Sequence, residues 1–299
     1  MATTVRQFLG TGATALALTI AALFPSSARA ETVDLLLALA ADVSRSVDTQ
    51  KFQLQREGYA AALTNPRVLE AIGAGRFGRV AICYIEWSGA GNQKVVVDWT
   101  VIRDTESANQ FASQLAETPR AFADRTSISG GIDFAMAQIE RAPFEAQRRT
   151  IDVSGDGTNN SGRDAAVARD EAVGKGLTIN GLVILTEQPL SWNAEHTNPA
   201  GGLENYFRAN VVGGPGAFVA VAQDFASFGQ AILNKLVAEI ADAPLKDLPA
   251  RLSGGCRSCG ALTLHNARVW LRRAPRTPNS QARSNTKIIV STRSNQHRF

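Results

Sequence analysis

Residues 33–40, VDLLLALA, constrain the fold most, because this stretch is apolar at nearly every position. A strand with one solvent-facing side alternates apolar and polar residues, whereas a strand of a parallel sheet is covered on both faces. The run therefore predicts a central strand of a parallel sheet. Parallel strands need crossover connections, which are usually helices.

The sequence up to residue 241 continues this alternation of strands and helices. Further strands are predicted at 79–87, 94–102, 149–154, 177–185 and 217–222. Helices are predicted near 48–63, 104–117, 126–139, 164–173 and 225–241, with Asp104 as an N-cap. We therefore expect an α/β fold: a Rossmann-like, doubly wound, mostly parallel sheet with helices on both faces.

The first 30 residues have the pattern of a secretory signal peptide. An apolar run at 13–24 is followed by Ala28-Arg29-Ala30, a small-x-small cleavage site. A transmembrane anchor is the alternative, but the run is too short to span a bilayer comfortably. We therefore predict cleavage after Ala30, no membrane span, and a periplasmic or secreted protein.

The charge of the chain is unevenly distributed. Residues 31–248 carry 19 Lys and Arg against 27 Asp and Glu, a net charge of −8, whereas residues 249–299 carry ten basic residues and no acidic one. We therefore expect one domain over 31–243 and a basic, poorly ordered tail over 244–299. Because the domain is acidic, the sequence does not indicate a nucleic-acid-binding protein.

The three cysteines give little information about function. Cys83 lies in an apolar, strand-like run, where a thiol behaves as a small buried hydrophobe. Cys256 and Cys259 form a lone C-x-x-C in the tail. In an exported protein this pair could be a disulfide, half of a metal site, or neither.

Small oxygen-bearing side chains follow the first strand directly, at Asp42, Ser44 and Ser46. Open α/β sheets place their ligand sites at the carboxyl ends of the strands. A carboxylate and two hydroxyls suit Mg²⁺, Mn²⁺ or Ca²⁺ better than zinc. Thr126, at a helix start, and Asp156, after another strand, are expected at the same edge. The alternative is ordinary helix capping and turn formation at each position.

These residues and their order resemble the von Willebrand factor type A (vWA) domains over about residues 33–241. That family has a metal-ion-dependent adhesion site (MIDAS) built from D-x-S-x-S, a threonine and an aspartate from three loops. The resemblance implies that Ser44, Ser46 and Thr126 bind the metal directly. It implies that Asp42 and Asp156 bind directly or through water.

The resemblance also implies a function. One coordination position is left for a carboxylate from a partner, so metal-dependent protein interaction or adhesion is expected, with Mg²⁺ as the first choice of ion. The stretches DVSGDGTNNSG and VVGGPGAFV are similar to exported bacterial vWA-like proteins of unknown function. No enzymatic activity is expected, and the partner is unknown.

Two residues depart from the vWA pattern. Gly155 stands where the family usually has threonine. Asp152 lies within a predicted strand, where a buried charge is costly unless it is paired. We expect Asp152 to pair with an arginine such as Arg148 or Arg149, or to reach the outer shell of the site, and not to be a ligand.

A metal-dependent hydrolase and a purely structural metal are the alternative functions. A metal at a sheet edge can activate water, but a hydrolase needs a general base nearby. The one histidine within the predicted domain is His196, in the long loop at 186–202, where a solvated side chain is expected. Neither a G-x-S-x-G nucleophile elbow nor a P-loop is present. The 186–202 loop is expected to form part of the recognition surface.

Overall fold

The computed structural model describes residues 30–186, 190–191 and 193–242. The predicted signal peptide, the tail and Cys256 and Cys259 lie outside the described residues, and so do positions 187–189 and 192 of the long loop. Cys83 is buried and unpaired, as the sequence predicts.

Strands and helices alternate along the described chain. The strands are β1 (Glu31–Thr32), β2 (Leu35–Asp42), β3 (Val80–Trp87), β4 (Gln93–Ile102), β5 (Phe144–Glu145), β6 (Arg148–Gly155), β7 (Thr178–Ile184) and β8 (Val219–Ala222). The helices are α1 (Thr49–Leu63), α2 (Pro66–Gly73), α3 (Thr105–Glu117), α4 (Ile128–Glu140), α5 (Ala165–Gly174), α6 (Ala194–Thr197), α7 (Leu203–Asn210) and α8 (Phe228–Ala241).

Six strands form one sheet in the order β4-β3-β2-β6-β7-β8, and β1 and β5 form a separate short parallel pair. Within the main sheet all neighbours are parallel except β4, which forms an antiparallel hairpin with β3. The chain runs outward from β2 through β3 to β4, and then returns to the other side of β2 as β6. The boundary between β2 and β6 is therefore the switch point where such sheets place ligands.

Helices cover both faces of the sheet, which confirms the predicted α/β, mostly parallel architecture. Along β2, Leu35, Leu37 and Leu39 pack with α1, α2, α3 and α8 on one face. The intervening Leu36 and Ala38 pack with α4, α5 and α7 on the other. This alternation follows from the two-residue period of a strand, so both faces of β2 must be apolar.

Helices α2 and α7 were not predicted from the sequence. Helix α2 begins with Pro66 and is capped by the Asn65 side chain, which accepts from the Arg67 N–H. The long 186–202 connection also contains α6. Asp104 caps α3 as predicted, through a capping box with Ser107. Among the described residues, no helix is both long and apolar enough to cross a membrane.

Asp152 is paired with a lysine, so the prediction of Arg148 or Arg149 as its partner is wrong. Lys235 Nζ of α8 lies 2.7 Å from Asp152 Oδ1 and also contacts Glu239 Oε1. We call Asp152, Lys235 and Glu239 the core charge cluster. Arg148 instead donates to the Glu239 and Ile240 carbonyls at the end of α8.

The core charge cluster holds two carboxylates and one ammonium group. Asp152 and Lys235 are fully buried, and Asn180 Nδ2 donates to Glu239 Oε1 at 2.7 Å. Burial raises the pKa of Asp152 to about 7, although Lys235 acts in the opposite direction; the charge of Glu239 adds to the rise. A single lysine therefore does not fully compensate the two acids.

Candidate metal centre

Three loops converge at the β2–β6 switch point and carry the five residues predicted to bind a metal. Asp42 is the last residue of β2, and Asp156 directly follows β6. Thr126 immediately precedes Ser127, the N-cap of α4. Backbone hydrogen bonds tie these loops together, including Arg45 N–H to the Asp124 carbonyl at 2.8 Å. Five residues spread over 115 positions of sequence thus share one buried cluster.

The three hydroxyls of this cluster form a continuous hydrogen-bonded row. Thr126 Oγ1 donates to Ser44 Oγ at 3.0 Å, and Ser44 Oγ lies 3.1 Å from Ser46 Oγ. Ser46 Oγ donates to Asp156 Oδ1 at 2.5 Å. All three hydroxyl-bearing residues are buried. The row ends on a carboxylate, which is a strong acceptor.

Each of the two carboxylates has one oxygen that is satisfied and one that is not. Asp42 Oδ1 accepts from the Ser44 N–H at 2.7 Å. Asp42 Oδ2 and Asp156 Oδ2 are buried and have no hydrogen-bond partner. Both aspartates are fully buried. Buried polar atoms are nearly always paired in proteins, so two unpaired carboxylate oxygens at one site need a partner.

Burial and mutual repulsion make this site unfavourable for two negative charges. Burial, and then the charge of Asp156, raise the pKa of Asp42 to about 8. Burial also raises the pKa of Asp156, while the hydrogen bond from Ser46 and the charge of Lys51 oppose the rise. A cation between the two carboxylates would relieve both the desolvation and the repulsion.

The spacing and chemistry of the oxygens fit a hard divalent cation. Adjacent oxygen ligands of an octahedral Mg²⁺ lie about 3 Å apart. The consecutive separations along the row, from Thr126 Oγ1 to Asp156 Oδ1, are 3.0, 3.1 and 2.5 Å. Within the described part of the chain, no group of three His, Cys, Asp or Glu side chains could hold a metal. Any metal at this site therefore depends on the hydroxyls.

Two basic side chains approach the site from its edges. Lys51 Nζ donates to the Ser46 carbonyl at 2.9 Å and lies 3.9 Å from Asp156 Oδ2. Arg120 Nη2 donates to the carbonyls of Val43 and Ser44, at 2.6 and 2.9 Å. Arg120 therefore fixes the backbone of the first loop, whereas Lys51 offers a partial counter-charge to Asp156.

The substitution of glycine for the usual threonine at position 155 has a steric reason. A Cβ atom at Gly155 would lie 3.3 Å from Asp42 Oδ2 and 3.6 Å from Phe207 Cζ. A threonine there would have to fit between the Asp42 carboxylate and the Phe207 ring. Glycine leaves the space in which Asp42 Oδ2 lies.

His196 is buried beside the five residues, so the expectation of a solvated side chain is wrong. Its exposed fraction is 3%, and its Nε2 lies 3.2 Å from Thr126 Oγ1. Helix α6 folds the long loop back onto the site, and the Thr158 N–H donates to the His196 carbonyl at 2.9 Å. Burial lowers the pKa of the His196 imidazole.

Gly157 makes room for this histidine. A Cβ atom at position 157 would lie 2.3 Å from His196 Nε2, so the imidazole ring would have to move away from its position. From the sequence, Gly157 is interpreted only as a turn residue after Asp156. The ring that occupies the space above it comes from a loop about 40 residues further on, so no local pattern could have revealed the contact.

The site opens into a cavity of about 390 Å³. Ser46, Thr126 and His196 face this cavity from the site itself. The outer lining comprises Arg45, Asp124, Arg125, Asn160 and Asn193. The hydroxyl row is therefore buried but has one route to solvent, which a ligand could use.

The fold together with these three loops defines a vWA-like domain. Residues 32–244 match a family described as "Protein of unknown function (DUF1194)", and the chain belongs to that family. No curated protein matches the chain.

Solved structures share the fold at low sequence identity. The pilus adhesin SpaC from Lactobacillus rhamnosus GG, in its open conformation, is 14% identical over 70% of this chain and 30% of the adhesin, with a TM-score of 0.51. A von Willebrand factor type A protein from Catenulispora acidiphila is 14% identical over 70% of this chain and 43% of its own, with a TM-score of 0.46.

A third similar structure is proximal thread matrix protein 1 from the mussel byssus, solved with a zinc-occupied MIDAS motif. It is 13% identical over 71% of this chain and 49% of its own, with a TM-score of 0.49. This chain thus spans about half the length of the byssus protein and less than a third of the adhesin. At these identities the likeness concerns the fold alone.

Proposed function

We propose that this chain is an exported binding domain over residues 31–243 that holds a divalent cation, with Mg²⁺ ahead of Mn²⁺ and Ca²⁺. Ser44, Ser46 and Thr126 would bind the ion directly, and Asp42 and Asp156 directly or through water. One observation carries the proposal: two buried carboxylate oxygens without hydrogen-bond partners belong to the same cluster as a row of three hydroxyls.

We further propose that the ion binds a carboxylate of a protein partner. Five protein groups, some of them acting through water, leave at least one position of an octahedral ion open. The cavity supplies access to that position, and Arg45 and Arg125 at its rim favour a negatively charged ligand. The acidic 31–248 region argues against nucleic acid as the partner. The described part of the 186–202 loop contributes His196 and Asn193 to the same cavity.

Affinity capture from the periplasm or culture medium tests the binding function. The full chain would be used as bait with Mg²⁺, with EDTA, and as Asp42→Ala with Mg²⁺. We expect a protein that is retained only by the wild-type chain with Mg²⁺. Recovery of the same proteins under all three conditions would contradict metal-dependent binding. If the ion binds by calorimetry but no metal-dependent partner is captured, a purely structural metal is the better account.

A metal-dependent hydrolase is the second candidate, and the burial of His196 next to Thr126 favours it. An imidazole at a metal site can act as a general base on bound water. Turnover of a generic phosphate ester or peptide by the Mg²⁺-loaded protein, abolished by Asp42→Ala, would establish this activity. Absence of turnover at high protein concentration would leave the binding function as the account of the site.

A further inference from the structure

We propose that His196 recognises the ligand carboxylate of the metal site by donating to it the Nε2–H that Thr126 Oγ1 accepts in the ligand-free site. Asn160 holds the imidazole in the tautomer that carries this proton. The proposal rests on the proposed function, since it assigns a recognition residue to the same cation site. The D-x-S-x-S pattern and its threonine and aspartate do not include either residue.

The orientation of the Asn160 amide sets the tautomer. Asn160 Oδ1 accepts from the Thr126 backbone N–H at 2.9 Å, which fixes which end of the amide is oxygen. Asn160 Nδ2 then faces His196 Nδ1 at 3.4 Å. An amide NH₂ can only donate, so this contact favours Nδ1 as the acceptor and the ring proton on Nε2. The Thr158 hydroxyl, 3.2 Å from Nδ1, can donate as well.

The hydroxyl row agrees with this tautomer. His196 Nε2–H points at Thr126 Oγ1, 3.2 Å away, and Thr126 in turn donates to Ser44. Ser46 donates to Asp156. The Ser44–Ser46 contact therefore takes the one direction in which every hydroxyl donates once and accepts once. Each hydroxyl oxygen keeps one lone pair for a cation.

The position of His196 suits an anionic ligand. His196, Ser46 and Thr126 line the same cavity, so a group that enters it comes close to both the hydroxyl row and the His196 side chain. The charged groups at the rim are Arg45, Arg125 and Asp124, with Arg45 Nη2 4.0 Å from Asp124 Oδ1. The rim thus has an excess of positive charge. A carboxylate has two oxygens, one for a cation and one for an N–H donor.

The same tautomer disfavours general-base chemistry. In a neutral imidazole the nitrogen that carries the proton has no lone pair in the ring plane, so it cannot accept a proton from water. Nδ1, which has the lone pair, is engaged by Asn160 and Thr158 and does not face Thr126. His196 therefore serves binding in this geometry and not hydrolysis.

Nitrogen NMR tests the tautomer. Side-chain ¹⁵N–¹H correlation at about pH 8, above the ordinary imidazole pKa of about 6.5, distinguishes the two neutral forms. The full chain has three histidines, and the signals of His196 are those absent from His196→Gln. We expect the proton on Nε2 of His196. A proton on Nδ1 would overturn the proposal.

Acetate serves as the carboxylate probe in a second experiment. Acetate is titrated into the Mg²⁺-loaded full chain and followed by the backbone amide signals of residues 42–46, while calorimetry measures Mg²⁺ affinity separately. His196→Leu removes the donor, whereas His196→Gln places an amide N–H near the position of Nε2. We expect His196→Leu to weaken acetate binding about tenfold or more. We expect His196→Gln to retain most of it, with each variant compared at Mg²⁺ saturation as measured by calorimetry.

The outcomes separate this inference from the proposed function. Equal acetate affinity of His196→Leu and the wild type, or no acetate binding by a wild type that binds Mg²⁺, would overturn the role of His196 and leave the metal site standing. Failure of the wild type to bind Mg²⁺ would overturn the proposed function, and the role of His196 with it.

Discussion

The domain contains two buried carboxylate clusters, one around Asp152 within β6 and one around Asp156 directly after it, and they are compensated in different ways. In the core charge cluster, Lys235 lies at ion-pair distance from Asp152 and contacts Glu239. At the candidate metal centre, the nearest ammonium group is Lys51, 3.9 Å from Asp156 Oδ2. The core charge cluster therefore includes an ammonium group in contact with its carboxylates. The candidate metal centre has hydroxyl groups and a cavity next to its carboxylates instead.

This difference is our basis for proposing a structural role for the first cluster and a binding role for the second. A buried carboxylate is tolerated only if something offsets its desolvation, and helix α8 supplies that group to Asp152. Asp42 and Asp156 lie at the carboxyl edge of the sheet, where loops and not helices meet. Among the described residues, no ammonium group is closer to them than Lys51 Nζ, 3.9 Å from Asp156 Oδ2, and this is the difference on which the proposed metal site depends.

The largest effect is expected from breaking the core charge cluster. Lys235→Met leaves Asp152 and Glu239 buried without a cation, which should lower the free energy of unfolding by about 3–5 kcal/mol. Urea unfolding followed by circular dichroism measures this. The matched control is Lys175→Met, which removes a surface pair with Glu140 and should cost about 1 kcal/mol or less.

If Lys235→Met does not fold, a variant that also lacks the two acidic charges tests the electrostatic role of Lys235. Adding Asp152→Asn and Glu239→Gln removes the uncompensated acids and should restore a folded protein. A loss below 1 kcal/mol for Lys235→Met alone, or no rescue by the added substitutions, would contradict the electrostatic role of the lysine.

At the metal centre, removal of a carboxylate is expected to affect the ion and not the fold. Asn at position 42 can still accept from the Ser44 N–H, but it carries no charge. Asp42→Asn should therefore weaken Mg²⁺ binding at least about tenfold in calorimetry. It should preserve or raise the melting temperature of the metal-free protein, since burial of a charge near Asp156 is relieved.

Asp48→Asn is the control for the removal of a charge. Asp48 lies in the same loop and caps α1 by accepting from the Lys51 N–H, and Asn caps helices equally well. We expect its Mg²⁺ affinity to remain within about twofold of the wild type. Similar losses of Mg²⁺ affinity in Asp42→Asn and Asp48→Asn would mean that the total negative charge near the loop controls the affinity, and not the specific position of Asp42.

The pH dependence of stability should report the incomplete compensation of the core charge cluster. The pKa of Asp152 is about 7 in the folded protein against 3.8 for an unperturbed Asp. Between these values Asp152 holds more of its proton in the folded state than in the unfolded state, so its contribution to stability falls as the pH rises from about 4 to 7. The wild-type slope should be more negative than that of Asp152→Asn by up to about 1.4 kcal/mol per pH unit. If urea unfolding gives the wild type and Asp152→Asn the same slope of unfolding free energy against pH, this prediction is contradicted.

The smallest effect is expected from the lysine that partly compensates the metal centre. Lys51 competes with a cation for Asp156, so Lys51→Met should raise Mg²⁺ affinity about two- to fivefold, limited by solvent screening. Calorimetry at 0.05 and 0.5 M salt should show a smaller gain at the higher salt. A lower affinity in Lys51→Met would show that its hydrogen bond to the Ser46 carbonyl matters more than its charge.

The sequence predicted those features that depend on local pattern and strand edges. The two-sided apolar run of β2, the strands predicted at 79–87 and 94–102, and the Asp104 cap follow from residue periodicity and capping chemistry. The convergence of Asp42, Thr126 and Asp156 follows because the carboxyl ends of parallel strands share an edge.

The features that were missed depend on contacts between distant segments. Lys235 reaches Asp152 across 83 residues, and no rule of spacing distinguishes it from a surface lysine. His196 was expected in solvent because a polar loop residue usually is, but α6 returns it to the site over Gly157. Both errors concern polar residues whose burial is decided by tertiary packing.

Crystals grown with Mn²⁺ give the most direct test of the central claim. Anomalous scattering from Mn²⁺ locates the ion independently of the refined protein atoms. We predict one strong peak at the switch point between β2 and β6, bordered by Ser44, Ser46 and Thr126, with Asp42 and Asp156 within reach directly or through water. An absent peak there at saturating Mn²⁺, in crystals of the folded full chain, would contradict the account.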